Sequence, residues 1–159
     1  MMEALEYHFN VGSNLGDREA LLRAACERLE AMGTPVMRSG MVETPAWGFE
    51  SDYTFLNMEV VVAIARQPLD VLDAVHMIER QLGSASHRDA MGNYADRLVD
   101  IDIVAVGDMV IDTPRLKVPH PHLAERYFYL APLAETSPQW RHPLIGLTPG
   151  QMLQRLDNL

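Results

Sequence analysis

Two aspartates separated by one apolar residue, Asp100 and Asp102, are the side chains of this sequence best suited to chemistry. In an extended strand, residues two apart point to the same side, with their backbones about 6–7 Å apart. Carboxylates placed in this way repel each other unless a cation lies between them. Two protein oxygens, completed by phosphate and water, suit Mg²⁺. The pair is therefore a candidate magnesium site, and a solvated strand edge is the alternative.

Basic residues stand on both sides of this pair along the chain. Arg97 precedes it, and a group of four follows it: Arg115, Lys117, His120 and Arg126. Arginine can hold a polyphosphate through bidentate hydrogen bonds. Ordinary surface charge explains any single one of these residues better, although His120 stands between two prolines and is more constrained. Together with a metal ion, the group could hold an anionic ligand.

Two further groups of residues could recognise a flat heterocycle. His76 and Glu79 are three residues apart on a predicted helix, where they either recognise part of a nucleotide or form a solvated flank. The second group is Thr44, Pro45, Trp47, Phe55 and Asn57. Its aromatic rings could stack on a heterocycle, and a buried asparagine offers both donors and an acceptor to its edge. The alternative is that these rings complete a minor core.

Hydrophobic periodicity places these residues on secondary-structure elements. Alternation of apolar and polar residues predicts strands at about 7–11, 36–42, 55–64 and 98–106. Apolar stripes at helical spacing predict two helices, which end at Gly33 and Gly83. Later elements are a return strand at 109–111 after a tight turn, a partly helical stretch at 123–135 and a last helix that begins at Thr148-Pro149.

The order of these elements is βαββαβ, followed by a hairpin and short helices. It predicts a ferredoxin-like α+β sandwich, in which two helices cover one face of an antiparallel sheet. The other face would be partly uncovered and would collect the polar side chains of the strands: His8, Asn10, Asn57, Glu59, Asp100 and Asp102. Such a collection is either a solvated surface or a site, and periodicity alone does not distinguish them.

The composition limits what the protein can bind. The chain has 159 residues, 48% of them apolar, and a net charge of −9. These values fit one globular domain over residues 1–159 and argue against nucleic acid as a partner, because phosphate neutralisation needs clustered basic residues.

The start of the chain lacks the basic residues of a signal peptide, and the longest apolar run of the sequence, Val60–Ala65, is too short for a bilayer. The single cysteine, Cys26, fits a reducing compartment. We expect a cytoplasmic monomer with no membrane partner.

Six short motifs follow one another along the chain: Val11 to Asp17, Glu43-Thr44-Pro45 with Trp47-Gly48, Phe55-Leu56-Asn57, Ile78-Glu79 with Leu82-Gly83, Arg97 to Asp102, and Val118-Pro119-His120. In this order and approximate spacing they resemble the 6-hydroxymethyl-7,8-dihydropterin pyrophosphokinase family. Each motif alone is a weak signal, but the set is specific. The resemblance runs to about Pro143 and covers nearly the whole chain.

The resemblance implies an activity and a role for named residues. The enzyme would transfer the β,γ-diphosphoryl group of ATP to the hydroxymethyl group of the dihydropterin and release AMP, within a ferredoxin-like fold. Asp100 and Asp102 would bind a pair of Mg²⁺ ions and, with Arg97, form the catalytic set. The implied ATP-binding residues are His76, Glu79, Arg88, Arg97, Ile103, Arg115, Lys117, His120 and Arg126. The implied pterin-binding residues are Thr44, Pro45, Trp47, Phe55, Asn57 and Phe128.

The sequence departs from the family pattern in the loop after Gly83. That loop is usually rich in arginine and often carries a tryptophan that caps the pterin, whereas residues 84–96 contain only Arg88. The side chain of Tyr94 or Met91 could take the place of the capping tryptophan ring. Two alternatives remain: a relative that binds pterin or nucleotide without turnover, and a ligand-sensing module without catalysis. The two facing aspartates backed by an arginine argue against both.

Overall fold

A five-stranded antiparallel sheet forms the centre of the protein in the computed structural model, which describes residues 2–45, 53–83 and 98–157. Its strands are β1 (Leu5–Ser13), β2 (Thr34–Arg38), β3 (Val42–Thr44), β4 (Phe55–Ile64) and β5 (Asp100–Val106). Their order is β2-β4-β1-β5, with β3 paired to β4 beyond the end of β2. This arrangement confirms the predicted ferredoxin-like sandwich.

Two helices cover one face of the sheet and build the main core. They are α1 (Arg18–Glu30) and α2 (Pro68–Gln81). Their apolar stripes pack against the inward-facing residues of β1, β4 and β5, so that side chains such as Leu22, Val75 and Phe9 are fully buried. Asp17 caps α1 by accepting the N–H of Ala20 at 3.2 Å. None of the helices among the described residues is both long and apolar enough to cross a membrane.

The opposite face of the sheet is more covered than predicted. After a 3₁₀ turn at Leu123–Glu125, α3 (Tyr127–Thr136) and α4 (Pro149–Asp157) form a second core that includes Val104 of β5. His8 and Glu59, predicted on the uncovered face, are 2% and 1% exposed, and His8 Nδ1 lies 3.1 Å from Glu59 Oε1. Their polarity therefore reflects a buried hydrogen-bonded pair, not contact with solvent. Asp100 and Asp102, on the same face, stay partly exposed.

The hairpin after β5 has different partners from those predicted. Residues 109–111 do not return along β5; instead β6 (Ile111–Asp112) pairs with β7 (Lys117–Val118) in a separate two-stranded sheet. The reason lies at the edge of β5, where the carbonyl of Val104 already accepts the N–H of His120 at 2.9 Å. The last helix begins as predicted, because Thr148 Oγ1 accepts the N–H of Gln151 at 3.3 Å.

Several predicted positions lie outside the described residues. They are Trp47 in the proposed aromatic slot, Arg88, Arg97, and the two residues that could cap the pterin, Met91 and Tyr94. Their predicted roles stay predictions. The described residues of the site belong mainly to the sheet, α2 and α3.

Candidate active site

Asp100 and Asp102 lie on β5 with their side chains on the same face of the sheet. The neighbouring strand β1 fixes their positions, since Asp100 pairs with Gly12 and Asp102 with Asn10. Both aspartates are partly exposed, whereas the intervening Ile101 is 5% exposed and packs in the main core. The pair thus projects from a strand that is anchored by apolar contacts on its other side. This is the predicted geometry for two carboxylates that share a cation.

Glu79 holds the backbone between the two aspartates. It lies on α2, its side chain is 2% exposed, and its Oε2 accepts the N–H of Ile101 at 2.9 Å. This hydrogen bond secures β5 on the side that faces away from β1. Glu79 is therefore not part of a solvated flank, which was the alternative interpretation. Its position borders the apolar stripe of α2, and from there its carboxylate turns inward to β5. Its contact with a nucleotide stays a prediction.

A hydrogen-bond chain that we did not predict reaches Asp102 from α3. Arg126 Nη1 donates to Tyr129 Oη at 2.7 Å, and Tyr129 Oη donates to Asp102 Oδ2 at 2.5 Å. Burial, with the nearby Asp102 carboxylate, raises the pKa of Tyr129 well above its ordinary value, so the hydroxyl stays a proton donor. The chain fixes the orientation of one carboxylate of the pair. From the sequence alone, an aromatic residue in an apolar helix is expected to pack in the core, which is why this contact was missed. The sequence feature that could have indicated it is the spacing of three residues between Arg126 and Tyr129, which makes helical side chains neighbours.

His120 lies beside this chain of hydrogen bonds, and its contacts define which ring nitrogen carries the proton. Its ring centroid is 5.0 Å from that of Tyr129, and its Nδ1 accepts the N–H of His122 at 3.1 Å. Since Nδ1 accepts, the proton of the neutral ring is on Nε2. Burial lowers the pKa of His120 to about 4. At neutral pH the residue therefore offers an uncharged Nε2–H donor, which suits a predicted ATP-binding residue.

The partial burial of His120 predicts a loss of stability in mild acid. The unfolded chain binds a proton at His120 below its ordinary pKa of about 6.5, and the folded protein binds it only near pH 4. Stability is therefore complete above pH 6.5 and falls as the pH drops toward 4. Between pH 7 and 5 the loss from this residue is about 2 kcal/mol. In urea unfolding without metal, the change in unfolding free energy between pH 7 and pH 5 should be smaller by about 2 kcal/mol in His120→Gln than in the wild-type protein. An equal change in both proteins would contradict the low pKa of His120.

The predicted pterin-binding residues of the sheet meet where β3 pairs with the start of β4. Thr44 lies opposite Phe55, and Asn57 points to the same side as Phe55. Thr44 Oγ1 and Asn57 Oδ1 are buried and have no hydrogen-bond partner among the described residues. A buried polar atom without a partner costs roughly 1–3 kcal/mol, so such atoms point to a ligand or a water that completes them. This end of the sheet suits a ligand with hydrogen-bond donors.

An open cavity adjoins this end of the sheet. It has a volume of about 510 Å³ and lies between the turn after β1 and the residues that lead into β4. That volume is within the range of small-molecule sites. One wall is held by Arg18, whose Nη1 lies 2.7 Å from Glu43 Oε2 and donates to the carbonyl of Thr54 at 3.1 Å. These contacts tie α1 to the two strands that carry Thr44 and Phe55.

The remaining predicted ligand residues within the described ranges differ in their ion pairs and in their exposure to solvent. Arg115 Nη2 lies 2.5 Å from Asp73 Oδ1, and Lys117 Nζ lies 3.5 Å from Asp112 Oδ1, both in exposed ion pairs. Ile103 is 4% exposed in the main core, on the opposite face from the aspartates, so only its backbone could contact a nucleotide. The remaining three are Pro45, which is exposed, and His76 and Phe128, which are partly exposed. Their roles in binding stay predictions.

The site offers few protein ligands for a metal ion. No group of three or more His, Cys, Asp and Glu side chains that could hold a metal occurs within residues 2–45, 53–83 and 98–157. A cation at Asp100 and Asp102 would take its other ligands from substrate and water. Magnesium commonly binds in this way, through one or two carboxylates and the phosphates of a nucleotide. The residues present thus fit Mg²⁺.

The chain is similar to a set of proteins of one description. A family model described as 7,8-dihydro-6-hydroxymethylpterin-pyrophosphokinase (HPPK) matches residues 8–138. A Porphyromonas gingivalis protein described as 2-amino-4-hydroxy-6-hydroxymethyldihydropteridine pyrophosphokinase is 40% identical over 138 residues, covering 86% of this chain and 92% of that protein. An Aquifex aeolicus protein of the same description is 36% identical over 137 residues, covering 86% of this chain and 83% of that protein.

Solved structures share the fold. The Plasmodium falciparum HPPK-DHPS wild type with pteroate aligns with a TM-score of 0.76 at 15% identity, covering 98% of this chain and 43% of that chain. The chain thus spans less than half the length of that solved protein. At this identity the likeness supports the fold alone.

Proposed function

The chain belongs to the 7,8-dihydro-6-hydroxymethylpterin-pyrophosphokinase family, and we propose that it transfers the β,γ-diphosphoryl group of ATP to the hydroxymethyl oxygen of 6-hydroxymethyl-7,8-dihydropterin. The products are AMP and the pterin diphosphate, an intermediate of tetrahydrofolate synthesis. The observation that carries the proposal is the pair Asp100 and Asp102, partly exposed on one face of β5. Mg²⁺ as the required ion, two ions per site and a cytoplasmic location are parts of the same proposal.

The spacing of the two halves of the site supports this reaction. Asn57 on β4, Asn10 on β1 and Asp102 on β5 lie on the same face of three neighbouring strands. Adjacent strands are about 4.8 Å apart, so the heterocycle end and the carboxylate end are separated by roughly 10 Å. A bicyclic pterin beside Asn57 could thus direct its hydroxymethyl arm toward a triphosphate beside the aspartates.

Positioning and charge are what such a transfer requires from the protein, because phosphoryl transfer involves little covalent chemistry by the enzyme. Asp100 and Asp102 would hold the metal ions, which supply the positive charge that offsets the phosphate oxygens. Tyr129 donates to Asp102 and keeps that carboxylate in one orientation. Thr44 and Asn57 would accept hydrogen bonds from the heterocycle. Neither aspartate needs to act as a general base.

Replacing Tyr129 with Phe is expected to lower kcat about tenfold. The variant keeps the ring, but Asp102 loses its hydrogen-bond donor. The loss of about 1.4 kcal/mol, close to the value of one hydrogen bond to a charged group, corresponds to a tenfold lower rate. Steady-state formation of AMP measures the effect. Tyr127→Phe is the matched control, because Tyr127 lies on the same helix with 54% of its surface exposed. Equal kcat values for the two variants would contradict the positioning role of Tyr129.

The proposal is tested by incubating the protein with ATP, Mg²⁺ and hydroxymethyl-dihydropterin and separating the nucleotides. We expect AMP and pterin diphosphate in equal amounts, and no product after the metal is chelated. ADP in place of AMP would mean transfer of a single phosphoryl group and would contradict the proposal. Pterin binding without any nucleotide product would instead support a binding protein that has lost turnover.

A further inference from the structure

Asn10 occupies the centre of the site's face of the sheet, although no motif of the sequence marks it as a binding residue. It lies on β1 between the strand of Asn57 and the strand of Asp102, and it is 2% exposed. Its side chain makes two hydrogen bonds of 2.8 Å. Asn10 Nδ2 donates to the carbonyl oxygen of Phe128 on α3, and Asn10 Oδ1 accepts from Asn57 Nδ2.

These contacts determine which way both amides face. The carbonyl of Phe128 can only accept, so the Asn10 atom beside it must be nitrogen. The other end of the Asn10 amide is then oxygen, and it requires a donor, which Asn57 supplies through its own nitrogen. The oxygen of Asn57 is therefore turned away from Asn10. A backbone carbonyl of α3 thus sets the orientation of Asn57 through one intervening side chain.

Independent observations indicate that Asn57 Oδ1 is kept for a ligand. Asn57 is 5% exposed, and Oδ1 is buried with no hydrogen-bond partner in the described part of the chain. The backbone also makes room for this amide, since a Cβ atom at Gly12 would lie 2.6 Å from Asn57 Nδ2. Thr44 Oγ1, on the same side, likewise has no partner there. A ligand with N–H groups along one edge would complete both oxygens.

We propose that Asn10 is a positioning residue for the binding of the heterocycle. Asn10 fixes the side-chain oxygen of Asn57 as a hydrogen-bond acceptor, and the site therefore favours ligands that present an N–H group at this edge. The inference rests on the proposed function, because the heterocycle is the pterin of that reaction. Asn10 itself need not touch the ligand. Its action through Asn57 distinguishes it from a residue that merely joins β1 to α3.

A double-mutant cycle tests this role. Asn10→Ala is expected to raise the KM for hydroxymethyl-dihydropterin about tenfold, the effect of one hydrogen bond, and to change the KM for ATP less than about twofold. Asn57→Ala should raise the pterin KM by at least as much. In the Asn57→Ala background, Asn10→Ala should change the pterin KM by less than about twofold, because the amide it orients is absent.

A control separates this effect from loss of stability. His8 lies two residues earlier on the same face of β1, with Glu59 as its buried partner. His8→Gln should alter the unfolding midpoint in urea but leave the pterin KM within about twofold of the wild-type value. A similar rise of the pterin KM in His8→Gln and Asn10→Ala would overturn the positioning role.

Other outcomes are equally decisive. An unchanged pterin KM in Asn10→Ala, a parallel rise in the KM for ATP, or additive effects in the double variant would overturn the inference while the proposed function stood. Absence of AMP from the wild-type protein would overturn the proposed function, and this inference with it.

Discussion

Replacing either Asp100 or Asp102 with Asn should lower turnover by about a thousandfold or more without unfolding the protein. Asparagine keeps the shape of the side chain but removes the charge that a divalent cation needs, and loss of a metal or an electrostatic contact to the transition state has effects of this size. AMP formation at saturating ATP and pterin measures the loss. Retention of more than about a tenth of the wild-type kcat by either variant would contradict the assignment.

When no metal is present, the unfolding free energy of the same two variants should lie within about 1 kcal/mol of the wild-type value. Neutralising one carboxylate removes the repulsion between like charges on one strand, and an asparagine at position 102 keeps an oxygen that can accept the Tyr129 hydroxyl. Thermal unfolding in a chelator tests this. Asp108→Asn is the matched control, because Asp108 is an exposed residue in the turn after β5 and should keep full activity. A site built for binding rather than stability predicts a large loss of activity with little loss of stability.

The second large effect is expected from Glu79. In Glu79→Leu the buried N–H of Ile101 loses its charged acceptor, which we expect to cost about 3 kcal/mol of unfolding free energy. For a chain of this length, that corresponds to a fall of roughly 6–12 °C in Tm. Turnover should fall as well, because β5 carries Asp100 and Asp102 on either side of the freed amide.

Glu79→Gln provides the control, since it keeps an oxygen that can accept the N–H of Ile101. Its Tm should lie well above that of Glu79→Leu. Hydrogen exchange at the Ile101 amide reports the bond directly: exchange should be slow in the wild-type protein and in Glu79→Gln, and faster in Glu79→Leu. The same exchange rate in all three proteins would show that Glu79 does not secure this strand.

Period-two alternation was sufficient to predict which side of a strand each polar residue occupies. It placed Asp100 with Asp102 on one face and Asn57 on the same face of the sheet, and the pairing of β4, β1 and β5 agrees. The βαββαβ order, read from the two periods of apolar residues, was enough to predict the sandwich. These features follow from local geometry, which is why one sequence suffices.

Alternation does not indicate what packs against a face, and the errors arise there. Glu59 was assigned to an uncovered surface, but α3 covers it, and Thr136 donates to its carboxylate. The same missing information hid the role of Tyr129, whose helix packs against β4 and β3 while its hydroxyl reaches Asp102 on β5. Glu79 was placed at the edge of an apolar stripe, and only the tertiary structure shows its carboxylate directed at Ile101. Each of these contacts joins residues at least 20 positions apart, between separate elements of the chain.

The most direct test is a count of metal ions at the aspartates. The protein is mixed with Mn²⁺ in place of Mg²⁺ and with an ATP analogue in which methylene replaces the oxygen between the α- and β-phosphates. We expect electron paramagnetic resonance to show two coupled Mn²⁺ ions about 4 Å apart in the wild-type protein. The coupled signal should be absent in Asp102→Asn. Two coupled ions in both proteins, or none in the wild-type protein with analogue bound, would contradict the claim that Asp100 and Asp102 hold the metal ions of this site.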